Sequence, residues 1–403
     1  MTQVSDTEVF DFAAERGKCP YDPPPVFQRR MAERPVSRIR LWNDQPVWMV
    51  MRHADVRAVL TDERFSANNL APGFPLITPS GEALTQDNPT FVRLDPPEHG
   101  RLRGMVNPDF TMKRAIALRP QIQQIVDGLV DQMVAKGPPA ELVEDFALPI
   151  PTQVICLILG VPYSDHDYFQ SCTRVMTDVK ATEEEVGDAS QALTDYLTGL
   201  IARKAEEPGD DLLSKLVVER EQRGELSRDD VVAMARLLLD AGHETTAMMI
   251  SYGMLLLLRH PGQLAALRAD EKLVPGAVEE LLRYLTVIHT GVPRLATADV
   301  EIGGETIRAG EGVLCFLPTA NRDPGRFSDP DTFDIHRTDR GHMAFGFGVH
   351  QCIGQGLARV ELQIALATLV RRLPELALAV PFEELRFRHT MFVEGVYELP
   401  VTW

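Results

Sequence analysis

Between Ser227 and Pro261 lie about 30 residues that read as one helix, which at 1.5 Å per residue would be about 45 Å long. Ser227 is a good N-cap with Asp230 three residues on, and Pro261 closes the far end. The flanks, VVAMARLLL and AMMISYGMLLLL, are apolar almost all round, the mark of a helix through the middle of a large core. Its charge-free run, Thr245 to Leu258, is 14 residues and too short to span a bilayer. Yet the centre reads Asp240-Ala241-Gly242-His243-Glu244-Thr245-Thr246. Polar groups buried at mid-helix are costly unless partnered, and a central Gly weakens a helix by about 1 kcal/mol. A chain that keeps both there is expected to use them.

Such a helix needs a thick core around it, and 403 residues that are 44% hydrophobic and 25% charged can build one. Disordered tails, collagen-like fibres and disulfide-stapled miniproteins are excluded. The cysteines, Cys19, Cys156, Cys172, Cys315 and Cys352, are odd in number and widely spaced, so neither a disulfide framework nor a C-x-x-C metal site is expected. The N-terminus, MTQVSDTEVFDFAAERG, is acidic and lacks a continuous apolar run, so no signal peptide and a cytoplasmic location are expected. A net charge of −17 disfavours nucleic-acid binding. With no repeat and no Gly/Ser linker, residues 1–403 are read as one domain.

Most of that domain reads as helical. Ile122, Ile125, Val126, Leu129, Val130, Met133 and Val134 form an apolar stripe, stopped by Gly137-Pro138-Pro139. Strands are expected at Val47 to Val50 and, around a Gly303-Gly304 turn, three times within Val300 to Leu317. Ala71 to Pro89 is rich in proline and expected to be an irregular loop, either a functional lid or a disordered insert.

Phe345-Gly346-Phe347-Gly348-Val349-His350-Gln351-Cys352-Ile353-Gly354 crowds glycines around one cysteine, and a helix-like segment follows. A helix N-terminus lowers a thiol pKa, and Gly348 and Gly354 would let a large flat ligand approach the backbone. A thiolate there could be a nucleophile or a metal ligand; the alternative is a buried inert cysteine. At mid-helix, His243-Glu244 resembles the start of a zinc-protease motif, but Ala247 stands where the second His belongs, so zinc is rejected. There remain a small-residue gap, Ala241 and Gly242, and an acid–alcohol pair, Glu244 and Thr245. The gap has room for a planar cofactor or diatomic gas, and the pair can pass protons. The alternative is a kinked helix with Thr bonded to its own turn. Glu280 and Arg283 stand one turn apart, by themselves a surface ion pair worth about 0–1 kcal/mol. His99 and Arg103 share a helix face after Pro96-Pro97 and could clamp an anion, though solvated helix charges are the plainer reading.

Together, and in this order, these segments resemble a cytochrome P-450, the haem-thiolate monooxygenase family, from about residue 20 to the C-terminus. The pattern F-x-x-G-x-x-x-C-x-G falls on Phe345, Gly348, Cys352 and Gly354. The oxygen-activation pattern [AG]-G-x-[DE]-T-[TS] falls on Ala241, Gly242, Glu244, Thr245 and Thr246, and E-x-x-R on Glu280 and Arg283. The segments DPPEH, ANRDP, AFGFGVHQC and ELPVTW resemble the soluble actinomycete branch, whose members hydroxylate xenobiotics, macrolides, steroids and other bulky apolar molecules.

The resemblance implies a mainly α fold, triangular around haem b, with a small β-rich lobe holding the N-terminal strands. It implies Cys352 as the axial ligand, whose thiolate favours O–O cleavage. His99, Arg103, Arg294 and His350 would hold the propionates, with Ala241, Phe345, Gly348 and Gly354 also at the cofactor. Glu244 and Thr245 would be catalytic. Glu280 and Arg283 would form a structural network whose third member is Arg322 or Arg337. Val92, Leu237, Ala241, Thr290, Met391 and Phe392 would wall the substrate pocket, with Ala71–Pro89 as its entrance. Electrons would come from NAD(P)H through a ferredoxin reductase and a ferredoxin, steered to a monomer by Arg101, Lys113 and Arg114. A nitric-oxide reductase on the same fold and a haem sensor without turnover are the alternatives. A cysteine hydrolase would need a base better placed than His350.

Overall fold

The computed structural model describes residues 9–11, 14, 16, 19–78 and 90–403. The long helix forms as its caps dictate. The Ser227 N–H donates to Asp230 Oδ2 at 2.9 Å, and the Asp230 N–H donates to Ser227 Oγ at 3.1 Å. From there Arg228–Leu258 runs as 31 helical residues without a break. Every residue from Thr246 to Leu257 is buried, so this half is covered on all sides. Helices Pro149–Leu159, Glu183–Glu206, Val274–Leu285 and Gln355–Arg372 pack around it. Its closest approach explains Gly242: a Cβ there would meet Ile155 Cγ1 at 2.8 Å. The glycine expected only to make room for a ligand is thus also needed for helix–helix contact.

The apolar stripe becomes helix Arg119–Lys136, with Gly137 at φ +79 ending it. Val134, expected on the buried face, is 47% exposed because it falls at the helix's solvent edge. Pro46–Val50 and Gly312–Cys315 form parallel neighbours in a five-stranded sheet. Its order is Val36–Arg40, Pro46–Val50, Gly312–Cys315, Val292–Ala296 and Phe65–Ser66. Val300–Ile302 and Glu305–Ile307 pair as a hairpin across Gly303 and Gly304, both at positive φ. Residues 71–78 are irregular, and 79–89 of the expected entrance loop lie outside the described residues. The fold is mainly helical with small sheets.

Two cores meet beneath the cysteine segment. Phe345 and Ile353 pack on the large helical core, while Phe347 packs on the core of the sheet lobe. A buried network holds this seam. Arg283 Nε and Nη2 each donate to the Glu280 carboxylate at 2.7 Å, and both side chains are at most 2% exposed. Arg337, not Arg322, is the third member, with Nε 3.1 Å from Glu280 Oε2. Arg322 instead pairs with Asp331 at 3.0 Å and lies over the Tyr284 ring. Arg283 also donates to the Asn321 carbonyl, and Asn321 Oδ1 accepts the Met343 N–H at 2.6 Å, two residues before Phe345. Among the described residues no helix is long and apolar enough to cross a membrane.

Candidate active site

At the seam lies a cavity of about 380 Å³. One wall is the central helix at Ala241, Gly242, Thr245 and Thr246; another is the cysteine loop at Phe345, Cys352 and Gly354. The loop is shaped by Gly346 and Gly348, at φ +68 and +74, and by the Cys352 N–H donating to the Phe345 carbonyl at 2.9 Å. Gly348 is not in the cavity wall. A Cβ on it would collide with the Leu60 carbonyl oxygen, so this glycine serves the docking of helix His53–Thr61 rather than a ligand. Gly354 fits the expectation better: it lines the cavity, and a Cβ there would meet only Cys352 Sγ, at 3.9 Å.

Cys352 stands three residues before helix Gln355–Arg372, exposed where it lines the cavity. The expected lowering of its pKa is not what the environment produces. Burial pushes the thiol up, and the Gly354 N–H, Arg103, Arg359 and the Gln355 N–H oppose this without overcoming it. A bound cation would displace the thiol proton outright.

Beside the cysteine sits a cluster of cations. Arg103 donates to the Gln351 carbonyl at 2.6 Å and Arg294 to the Pro293 carbonyl at 2.8 Å. The His99 and His350 rings lie 4.2 Å apart, centroid to centroid. Arg93 joins them, a residue that sequence reasoning missed; its only signal was an arginine in an apolar turn just before DPPEH. Burial, then Arg294, His99, Arg103 and Arg93, push the His350 pKa down to about 3. Burial and Arg294 push Arg93 down to about 10. Among the described residues no acid forms an ion pair with any of the five, and His99 Nε2 and His350 Nδ1 are buried without hydrogen-bond partners. Orphaned donors and crowded cations at one rim suit a ligand with two carboxylates. A thiol in the floor suits its metal. The residues present therefore fit a haem.

On the opposite wall, Thr245 Oγ1 donates to the Ala241 carbonyl at 3.2 Å, the back-bond anticipated as an alternative, within an unbroken helix. Glu244 does not line this first cavity. Successive helix residues point about 100° apart, and Glu244 is instead buried against Arg388 in an ion pair. It lines a second cavity of about 410 Å³. The two cavities adjoin, with Val92, Arg93, Leu237, Ala241, Thr245 and Phe392 among the residues they share. His243 is buried and bonded to the Leu239 carbonyl.

Val92, Leu237, Ala241 and Phe392 thus stand where expected, but Thr290 and Met391 do not line either cavity. Thr290 is 0% and Met391 2% exposed. Of the neighbours Met391 and Phe392, at a bend in the chain, only Phe392 lines the space. A second missed residue is Glu361, on helix Gln355–Arg372. It is 1% exposed and lines the first cavity, its Oε2 has no partner, and burial pushes its pKa up to about 8.

Comparison with known proteins gives the family. The family model for cytochrome P-450 matches residues 26–375. The chain is 52% identical over 385 residues to pentalenic acid synthase of Streptomyces avermitilis, covering 96% of this chain and 95% of that one. It is 47% identical over 387 residues to 20-oxo-5-O-mycaminosyltylactone 23-monooxygenase of Streptomyces fradiae, covering 96% and 90%. The crystal structure of GfsF superposes with a TM-score of 0.90 at 47% identity, covering 96% of this chain and 98% of that chain. The chain belongs to the cytochrome P-450 family: it is a monooxygenase whose cofactor is haem b.

Proposed function

We propose that this monooxygenase hydroxylates a bulky, largely apolar molecule, drawing electrons from NAD(P)H through a ferredoxin reductase and a ferredoxin. The observation that carries the reading is the placement of Cys352 and Thr245 on walls of one apolar cavity with an unpaired cation cluster at its rim. In this reading Cys352 is the axial ligand, and His99, Arg103, Arg294 and His350, joined by Arg93, hold the propionates. When bound, haem b with a thiolate ligand supplies the oxygen-activating chemistry.

The chain's own part is to bind, to exclude water and to hold protons. Apolar walls from Leu60 to Phe392 keep bulk water from the reacting carbon, and their span supports one domain throughout. Thr245 holds a proton at Oγ1 on the cavity side. Glu244, fixed by Arg388 behind the same turn, passes protons to it from the second cavity. The chain works as a cytoplasmic monomer. Ferredoxin docks on the cysteine side at helix Met112–Ala117, where Lys113 and Arg114 flank the exposed Met112 and Ile116. Arg101 is a weaker member of this patch, because Glu98 already pairs with it at 2.5 Å.

The test is a turnover with ¹⁸O₂, NAD(P)H, ferredoxin and its reductase, over a panel of steroids, macrolides and other apolar molecules. Product carrying one ¹⁸O atom, with a thiolate-type spectrum of the reduced CO complex, is expected. NAD(P)H consumption with nitric oxide but not O₂, or haem binding with no turnover, would overturn the reading.

A further inference from the structure

The second cavity carries an acceptor that the chain leaves poorly served. Its walls are apolar at Phe74, Pro75, Leu76, Ile77 and Met176, yet Asp240 of the central helix stands among them. Among its described neighbours, Thr173 supplies the hydroxyl hydrogen bond to Asp240. Thr173 Oγ1 lies 3.1 Å from Asp240 Oδ1 but 2.9 Å from the Phe169 carbonyl, and one hydrogen serves one of them at a time. Arg236, one turn earlier, directs its guanidinium to Ser190 and Thr194. A separate observation points the same way. Glu244, 6% exposed and on the wall of the same cavity, has its Oε1 tied to Arg388 but its Oε2 without any donor. Two carboxylates one turn apart therefore present acceptor oxygens to a space whose other charged lining residues are Arg93, Arg236 and Asp178.

We propose that Asp240 is a substrate-recognition residue, accepting a hydrogen bond from an O–H or protonated N–H group on an otherwise apolar substrate. This rests on the reading that the adjoining cavities hold the substrate. Asp240 precedes Thr245 by five residues, which sets the two side chains about 7.5 Å apart along the helix axis. Lacking such a donor, the carboxyl is poorly served in its ionised form; burial pushes its pKa up to about 7 against the pull of Arg236 and Thr173. A site that expects a donor discriminates against analogues lacking it, because its acceptor is then stranded.

The test uses matched steroid and macrolide skeletons, each as the alcohol and its methyl ether, with N,N-dimethylamino versions as a third arm. Binding is read from the Soret shift of haem-loaded wild type, Asp240→Leu and Asp240→Asn. Wild type should bind alcohols about 10-fold or more tighter than the ethers. Asp240→Leu should bring the pair within about 2-fold while keeping haem content and the CO spectrum unchanged. Asp240→Asn, which keeps an acceptor oxygen but loses the charge, separates the sources: a hydroxyl substrate retains its preference and an ammonium substrate loses it. Equal binding of alcohol and ether by wild type, or a gap that survives Asp240→Leu, overturns the proposal and leaves the monooxygenase reading standing. A Soret shift with no skeleton in any form overturns both.

Discussion

Two groups of buried arginines, one behind the cysteine loop and one beside it, are built on opposite principles. Arg283 and Arg337 share the Glu280 carboxylate, and Arg283 also donates to the backbone at Asn321, Pro330 and Thr332. That group is complete within the chain. Arg93, Arg103 and Arg294 crowd against His99 and His350 with no acid in ion-pair contact among the described residues. That group is not completed within the described chain, and the proposed reading completes it with the haem carboxylates. Both place positive charge away from water, but the first is satisfied within the chain and the second, in the proposed reading, by a ligand.

The sharpest way to break this contrast is to remove a member of the complete group. Arg283→Ala removes the bidentate partner of the buried Glu280 carboxylate, leaving it to Arg337 and the Asp334 N–H, and should cost about 3–5 kcal/mol. Urea denaturation of the purified variant measures it, and little soluble, haem-loaded protein is expected. A loss below about 1 kcal/mol would place the network among surface pairs.

The same truncation in the incomplete group should behave differently. Arg294→Leu relieves crowding and strands no acid, so haem-free stability should hold or rise. Haem affinity should fall about 100-fold, the loss of a buried charge-assisted contact. Haem transfer to apomyoglobin measures the second quantity and thermal melting of the haem-free chain the first. Equal damage to both would erase the distinction.

Thr245→Ala sharpens the comparison on the far wall, where a side chain bonded to its own helix is assigned a chemical role. Fold and CO spectrum should barely change, since Ala is the best helix former. Product per NAD(P)H oxidised should fall about 10-fold while hydrogen peroxide rises, the scale of a lost proton-transfer group. Unchanged coupling would remove Thr245 from the reaction.

The smallest effect concerns Glu361, an acid with no partner for Oε2 where the cation cluster has no acid. Its folded pKa is raised to about 8 from an ordinary value of 4.5, so the folded chain holds this proton where the unfolded chain has lost it. The contribution is therefore full below the unfolded pKa and is lost as pH rises through the folded one. Haem-free wild type should lose about 1 kcal/mol more than Glu361→Gln between pH 7 and pH 8. Parallel pH profiles from chemical denaturation would show that the carboxyl is already partnered.

What could be read in advance was local. Ser227 and Asp230 cap a helix because they are three residues apart, and Gly303-Gly304 turns a hairpin between neighbouring strands. What could not be read joins distant residues. Arg388 meets Glu244 across 144 positions, and Arg337 reaches Glu280 across 57. Thr290 and Met391 were misplaced for a related reason: both lie in irregular chain, where no periodicity says which side chains face a cavity.

By itself, then, the sequence determined the long core helix, the cysteine turn with its following helix, and the family to which their spacing belongs. Each is set by dihedral preference, capping and periodicity over a few residues, which act wherever the chain lies. Only the tertiary structure decided that Gly242 and Gly348 answer to neighbouring backbone and side chains, that Arg93 joins the cation cluster, and that Asp240 faces an apolar cavity. Burial and charge crowding depend on which remote segments pack together, and no short stretch of residues encodes them alone.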